Sequence, residues 1–278
     1  MEFTTIANAK RQTGLSYLGG IATSAKITHS KEYSHQYTYA IYLAPASISG
    51  YNVCSHSTPE CRMGCLNTSG RAAVEILSGY ADSRIRDARK KKTILFYEEP
   101  EFFMAWLFAE IDNAKAKAIR DGYYFSVRLN ATSDIDWANV LVGGRNIFDI
   151  YSDVAFYDYT KNPNKFLNLA SNYHLTLSYT GRNWNACKTM LKRGHNIAMV
   201  FNIKKETELP TQFGGFNVVN GDLTDYRIDD AKGIIVGLKW KRIGNREAEK
   251  KVLNSCFVVN PKTNVKCTMN INELETTI

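Results

Sequence analysis

Three of the six cysteines in this 278-residue chain fall close together, at Cys54, Cys61 and Cys65 in the string CSHSTPECRMGC. Their spacing is C-x6-C-x3-C, with His56 between the first two. Thiolates this near in sequence can wrap one small soft centre, and such clusters are more often metal ligands than disulfide partners. Three thiolates leave one iron of a four-iron cluster open to substrate or S-adenosylmethionine; a three-iron cluster is the smaller variant. If His56 closes the set, Cys3His is an ordinary structural zinc site. The spacing leaves iron and zinc both open. Cys187, on an apolar helical face, and Cys256, in an apolar strand, read as small core residues. Cys267, near the end of the chain, is a remote candidate for a fourth ligand.

A second group of chemically capable residues falls where strands are expected to end. Asn130 and Asp134 follow one strand, Asp158 and Lys161 close the next, and Asp222 and Arg227 come after a later one, with Lys239 on the last but one. In a barrel of parallel strands these ends form a single mouth. Asp158, Lys161 and Asp222 are then candidates for acid, base or charge-stabilising roles, and Asn130, Asp134, Arg227 and Lys239 for orienting a polar substrate. Each also has a structural reading. Asp134 suits a helix N-cap, Asp222 suits turn chemistry, and Arg128 and Lys239 suit solvent-facing strand positions.

The elements that must position these groups alternate. Strands are expected at 38–43 (TYAIYL), 93–97 (TILFY), 123–129, 154–159, 174–179, 196–203, 217–220, 233–240 and 255–259, from their β-branched and aromatic content. Helices are expected at 71–79, from Pro100 to about Gly122, at 146–151, near 163–170 and at 183–193. Pro100 suits the first helical turn, and Phe103, Leu107, Ile111, Ala114 and Ala118 share one face after it. Strand and helix in alternation predict a parallel sheet with crossover helices. The fold class is therefore α/β, a single full or partial (β/α) TIM-like barrel, with a doubly wound open sheet as the alternative. Residues 1–37 read as an irregular N-terminal arm, 38–260 as the barrel and 261–278 as a tail.

Composition narrows the setting. Hydrophobic residues make up 44% and charged residues 22%, a globular balance with no apolar stretch long enough for a membrane span. Met1-Glu2-Phe3-Thr4 opens no signal peptide, so the cytoplasm of a cell, with reduced thiols, is the expected compartment. The net charge is +8, much of it in the run from Arg84 to Lys92. That run reads as a solvated helix end or, more sharply, as a patch for nucleic acid.

A cysteine loop directly after the first strand of an α/β barrel resembles the layout of radical-SAM enzymes, although their usual spacing is C-x3-C-x2-C. The blocks Leu43-Ala44-Pro45-Ala46, Cys54…Cys61…Cys65, Arg128-Leu129-Asn130 with Ser133-Asp134-Ile135, Phe156-Tyr157-Asp158-Tyr159-Thr160-Lys161, Asn220-Gly221-Asp222 and Ile235-Val236-Gly237-Leu238-Lys239 are similar to those of the tailed-phage family called gene product eighty-eight. The resemblance covers roughly residues 40–260. It implies a phage-encoded protein of the host cytoplasm that carries an iron–sulfur cluster and acts on an unidentified polar substrate. The rival is a zinc-stapled nucleic-acid-binding or structural phage protein.

Overall fold

The structure is a computed structural model that describes residues 5–65, 67, 83–204, 207–243 and 245–262. Its centre is one sheet of ten strands in the order β1-β2-β3-β4-β5-β6-β9-β8-β7, with β10 paired to β6. The strands are β1 (Gly19–Gly20), β2 (Gln36–Ile41), β3 (Tyr124–Arg128), β4 (Ala155–Thr160), β5 (Tyr173–Ser178), β6 (Asn196–Phe201), β7 (Gln212–Phe213), β8 (Phe216–Asn220), β9 (Ile235–Lys239) and β10 (Val258–Val259). From β2 to β8 every pairing is parallel; β1 and β7 are antiparallel edges. The strand order advances in one direction from β1 to β6, after which the last three strands run in reverse as β9-β8-β7. The chain therefore does not start in the middle of the sheet and wind outward both ways, as a doubly wound order requires. The expected full barrel is not formed either, since β1 pairs with β2 alone and β7 with β8 alone among the described residues. The fold is an open, mixed α/β sheet with helices.

Three further corrections concern local structure. The run 93–97, expected as a strand, is the last part of helix α4 (Arg84–Glu98). Five apolar residues carry too little length to show their own period. Here Lys92, Thr93, Leu95 and Phe96 are the buried positions, a helical spacing continuous with the good helix formers before them. The N-terminal arm is not irregular. It holds α1 (Ile6–Thr13), capped by Thr5, and α2 (Ala25–Tyr33), capped by Ser24. The helix expected at 71–79 and the residue Cys267 lie outside the described residues, and the stretch expected to be helical near 163–170 is a single 3-10 turn, Pro163–Phe166. Among the described residues no helix is long and apolar enough to cross a membrane.

The helical layer fixes the sheet from one side. Helix α5 (Pro100–Arg120) starts on Pro100, ends before Gly122 at φ 77°, and buries Phe103, Met104, Trp106, Leu107 and Ile111. At roughly 2 kcal/mol for each large apolar side chain, this is a dominant part of the core. They share that core with Val127, Leu129, Phe148 and Phe156. α6 (Ile147–Ile150), whose N-terminus is held by a capping box between Asn146 and Asp149, adds Ile147 and Phe148 to this core. α7 (Trp184–Lys192) covers the second core, where Cys187 and Leu191 meet Ile197, Met199 and Ile235. Cys187 is the core residue it was expected to be. Cys256 is instead half-buried in the turn before β10, and is disulfide-bonded.

On the flank, α2 packs along β2 and also grips the chain after β8. Lys26 Nζ lies 2.7 Å from Asp222 Oδ1 and donates to Gly221 O at 2.8 Å, and the Ser30 and Thr224 hydroxyls meet at 2.8 Å. One helix of the supposed arm therefore ties together two strands that lie far apart in the sheet order.

The edge strand β1 is held by one carboxylate. Glu110, buried on α5, accepts from Leu18 N at 3.0 Å, Gly19 N at 3.0 Å and the Tyr39 hydroxyl at 2.5 Å. Gly19 is required there, because a Cβ would stand 2.6 Å from Ala40 O. Removing the acceptor leaves three buried donors unsatisfied, so Glu110→Ala should lower unfolding free energy by about 3 kcal/mol in urea titration. A loss below about 1 kcal/mol would show that those donors find other partners.

Candidate functional site

The carboxyl end of the sheet is built on the connection that leaves β3. Asn130 is buried and spends its whole amide there. Its Oδ1 accepts from Ser133 Oγ at 2.8 Å, Ile135 N at 2.9 Å and Trp137 Nε1 at 3.2 Å, while Nδ2 donates to Ile135 O at 3.0 Å. This compact turn presents Asp134, which joins three segments. Asp134 N donates to Val53 O at 2.8 Å in the cysteine loop, Oδ1 accepts from Thr160 Oγ1 at 2.8 Å and Lys165 Nζ at 2.7 Å, and Oδ2 accepts from Lys161 N at 2.8 Å. Asp134 is thus a crosslink between β3, β4 and the cysteine loop, and not a helix N-cap.

The cysteine loop is anchored on both sides of this node. Ala46 enters it in the left-handed region at φ 50°, a strained position for a residue with a Cβ, and accepts from Val53 N at 3.1 Å. Thr58 caps the short helix α3 (Pro59–Met63), accepting from Cys61 N at 3.2 Å. Glu60 takes Arg182 Nη2 at 2.7 Å, from the connection after β5. At Gly64 a Cβ would stand 3.0 Å from the Trp240 ring, which follows β9. α3 therefore lies across the carboxyl ends of several strands as a cap.

Cys54, Cys61 and Cys65 are half-buried thiols that stand outside any disulfide. They share one cation. The Lys161 ammonium lies near the Cys61 thiol and is close enough to Cys54 and Cys65 to influence both. Burial alone would lower the Lys161 pKa, but Cys61 and Asp134 outweigh it and hold the amine charged. Burial pushes the Cys54 thiol up to about 11, with Lys161 only partly opposing. Cys65 is raised for the same reason, and Lys161 and Arg89 oppose it. The donors are soft and the neighbouring cation favours their thiolates, so the chemistry of the set suits a soft metal centre. Their spacing around Lys161 does not yet enclose one. Among the described residues no three His, Cys, Asp or Glu side chains stand together closely enough to hold a metal ion. His56 is exposed and pairs with Ser55, its Nδ1 lying 3.0 Å from the hydroxyl.

The remaining candidates divide between two other places. Asp158 is buried in the sheet itself, where Oδ1 accepts from Asn130 N at 2.8 Å and Oδ2 from the Tyr173 hydroxyl at 3.1 Å. Arg227 and Asp222 belong to the β8–β9 connection, and Lys239 ends β9. Asp222 accepts from Lys239 N at 2.8 Å as well as meeting Lys26. Arg227 is buried, donating to Thr224 O at 2.8 Å and pairing with Asp230 at 3.1 Å. The structure therefore brings Asp134 and Lys161 to the thiols, sets Asn130 and Asp158 beneath them, and keeps Arg227, Asp222 and Lys239 apart.

Sequence reasoning missed the inner face of the sheet. Arg128, read as solvent-facing, turns inward and gives Nη1 to Asp225 Oδ1 and Oδ2 at 2.7 and 2.8 Å. The Tyr157 hydroxyl lies 3.0 Å from the same carboxylate, and the Arg128 guanidinium sits 4.9 Å from the Tyr159 ring centre. The signal was the alternation in Phe156-Tyr157-Asp158-Tyr159, which puts both tyrosines on the face opposite the helical core. Burial pushes the Asp225 carboxyl up, yet Arg128 and Lys26 hold it below the usual range. Asp158 is the reverse case. Its nearest Arg128 nitrogen is 3.9 Å away, and burial prevails, raising it from 3.8 to about 7.

The raised value carries a pH signature. Between about pH 4 and pH 7 the unfolded chain releases the Asp158 proton and the folded chain keeps it. Stability should therefore decline with rising pH across that window and level off above it. Asp158→Asn keeps a carbonyl acceptor for Asn130 N and cannot ionise. It should flatten this part of the profile and raise stability at pH 8 by a few kcal/mol relative to wild type, as read by denaturant titration at several pH values. Parallel profiles for the two proteins would show that Asp158 ionises freely.

No curated protein and no solved structure matches the chain. The family described as Gene product 88 matches residues 8–255, from α1 to the end of the helix before β10. The cysteine loop, the Asp134 node and the Arg128–Asp225 pair all fall inside that span, and the chain belongs to this phage gene product 88 family.

Proposed function

We propose that this phage protein binds a soft metal centre, an iron–sulfur cluster, through Cys54, Cys61 and Cys65 at the carboxyl end of its parallel strands, and presents it to a polar ligand. The observation that supports the reading is the approach of three thiols, none of them in a disulfide, to one half-buried cation, Lys161. In parallel α/β sheets, ligands bind just beyond the carboxyl ends of the strands. A bound cluster would supply a redox or Lewis-acid centre with an iron not held by cysteine. The Lys161 ammonium, near Cys61, would offset the negative charge of the thiolates. Asp134 keeps Lys161 in place through its backbone N–H, so these two are the residues that meet a polar ligand beside the thiols. Asp158 and Asn130 support that floor from below. Because burial holds Cys54 and Cys65 protonated, uptake must release thiol protons and should strengthen as pH rises.

The test is anaerobic reconstitution with iron and sulfide, followed by metal and sulfide analysis, visible absorption and EPR. Brown protein with matching iron and acid-labile sulfide is expected from wild type and from Cys187→Ala. Cys54→Ala, Cys61→Ala and Cys65→Ala should each lose most of it. Colourless protein that takes up zinc instead would point to a structural zinc site, and His56→Ala would then be the variant to assay. Absence of any bound metal, or full iron in all three cysteine variants, would sink the reading.

A further inference from the structure

The run of cations in α4 is not the exposed basic surface of this protein. Arg89 lies over the Tyr42 ring and donates to Asn67 at 2.7 Å, and the Lys92 ammonium is buried, donating to Leu18 O at 2.8 Å. Lys91 is paired with Asp87. Exposed positive charge also lies on the helix α8 (Arg246–Leu253) and the connection from β9 that leads into it.

Arg242, Arg246 and Lys250 are exposed, follow one another at intervals of four, and line an open cavity of about 330 Å³ with Leu253 and Asn254. The carboxylate in that lining, Glu249, accepts from Trp240 Nε1 at 3.0 Å. The other acid of the helix, Glu247, pairs with Lys251. Among the described residues no ion pair engages Arg242, Arg246 or Lys250. Arg246 and Lys250 stand one helical turn apart, about 6 Å, and Arg242 extends the row. A row of cations suits successive phosphates of a strand better than one compact anion. A membrane surface fits poorly, since Val252 is buried and Ala248 and Leu253 are half-buried, leaving no apolar side chain to insert. The row also adjoins the cap of the thiol site, because α8 packs against α3.

We propose that Arg242, Arg246 and Lys250 bind the phosphate backbone of a nucleic acid, single-stranded by preference because the row is short and open. The inference does not depend on metal at the thiols. Its test is fluorescence anisotropy of the full-length protein with a labelled single-stranded oligonucleotide of about 20 nucleotides, at salt from about 50 to about 200 mM. Three phosphate contacts predict a log–log salt slope of about −2. Arg246→Ala/Lys250→Ala should weaken binding by about tenfold or more at low salt and bring the slope near −0.7, while Arg246→Lys/Lys250→Arg should keep both. Arg84→Ala/Lys91→Ala in α4 should change affinity by less than about twofold. If the alanine pair fails to fold by circular dichroism, Lys250→Gln alone carries the same test, with a slope reduced by about 0.7. Unchanged binding in the α8 variants overturns the proposal. So does inorganic phosphate competing as well as the strand, phosphate for phosphate, which would make this a small-anion site.

Discussion

The buried pair of Arg128 with Asp225 decides how the sheet is covered. One residue comes from β3 and the other from the connection after β8, so the contact pins that connection against the inner face. Each ion lost several kcal/mol of hydration on burial, and the attraction between them returns that only when the remaining polar atoms are satisfied. Here Tyr157 completes one carboxylate oxygen, Tyr159 lies against the guanidinium, and Ser30 of α2 contacts the Asp225 backbone N–H at 3.3 Å. The pair therefore acts chiefly as a specification. It fixes which segment covers this face of the sheet and, through α2, holds the flanks of an open sheet that no strand pairing closes among the described residues.

The same guanidinium explains why two buried aspartates in neighbouring places behave oppositely. Arg128 reaches Asp225 at 2.7 Å and stays 3.9 Å from Asp158. A charge-assisted hydrogen bond at the shorter distance outweighs desolvation, while at the longer one desolvation prevails. Asp225 is held ionised and Asp158 is driven toward its neutral form. Asp134, with Lys165 at 2.7 Å and backbone donors besides, serves as the structural hinge between them and the thiols. Three identical side chains thus take three roles, and the cations within reach assign them.

Much of this was legible in the sequence where the pattern was long. β3, β4, β5, β6, β8 and β9 lie within a few residues of where their hydrophobic runs put them, and α5 and α7 begin and end as their Pro and Gly signals require. The meeting of Asp134 with the Lys161 backbone and with the cysteine loop at Val53 followed from parallel strands ending at one edge. What was not legible depended on partners distant in the chain. The run 93–97 has no period of its own, and α2 shows no clear amphipathic stripe because one flank lies on β2 while another meets residues 221–225. Arg128 looked solvent-facing because nothing nearby in sequence announces Asp225. Barrel closure was inferred from alternation alone, and alternation fixes the handedness of each crossover but not the curvature that would bring the two edges together.

Charge gave the clearest difference between density and placement. The nine residues from Arg84 to Lys92 hold six cations, so the run dominates any reading by count. On a helix, neighbouring positions are turned about 100° from one another, so nine consecutive residues point in every direction. A helix packed on one side must then bury some of them, as Arg89 and Lys92 show with their aromatic and carbonyl partners. Arg246 and Lys250 are sparser, but an interval of four on a helix returns to nearly the same bearing, and Arg242, in the connection before the helix, lines the same cavity. Their charges therefore add on one exposed side, where a partner can meet them together. Spacing, more than number, decides whether positive charge becomes a surface or is absorbed into a core.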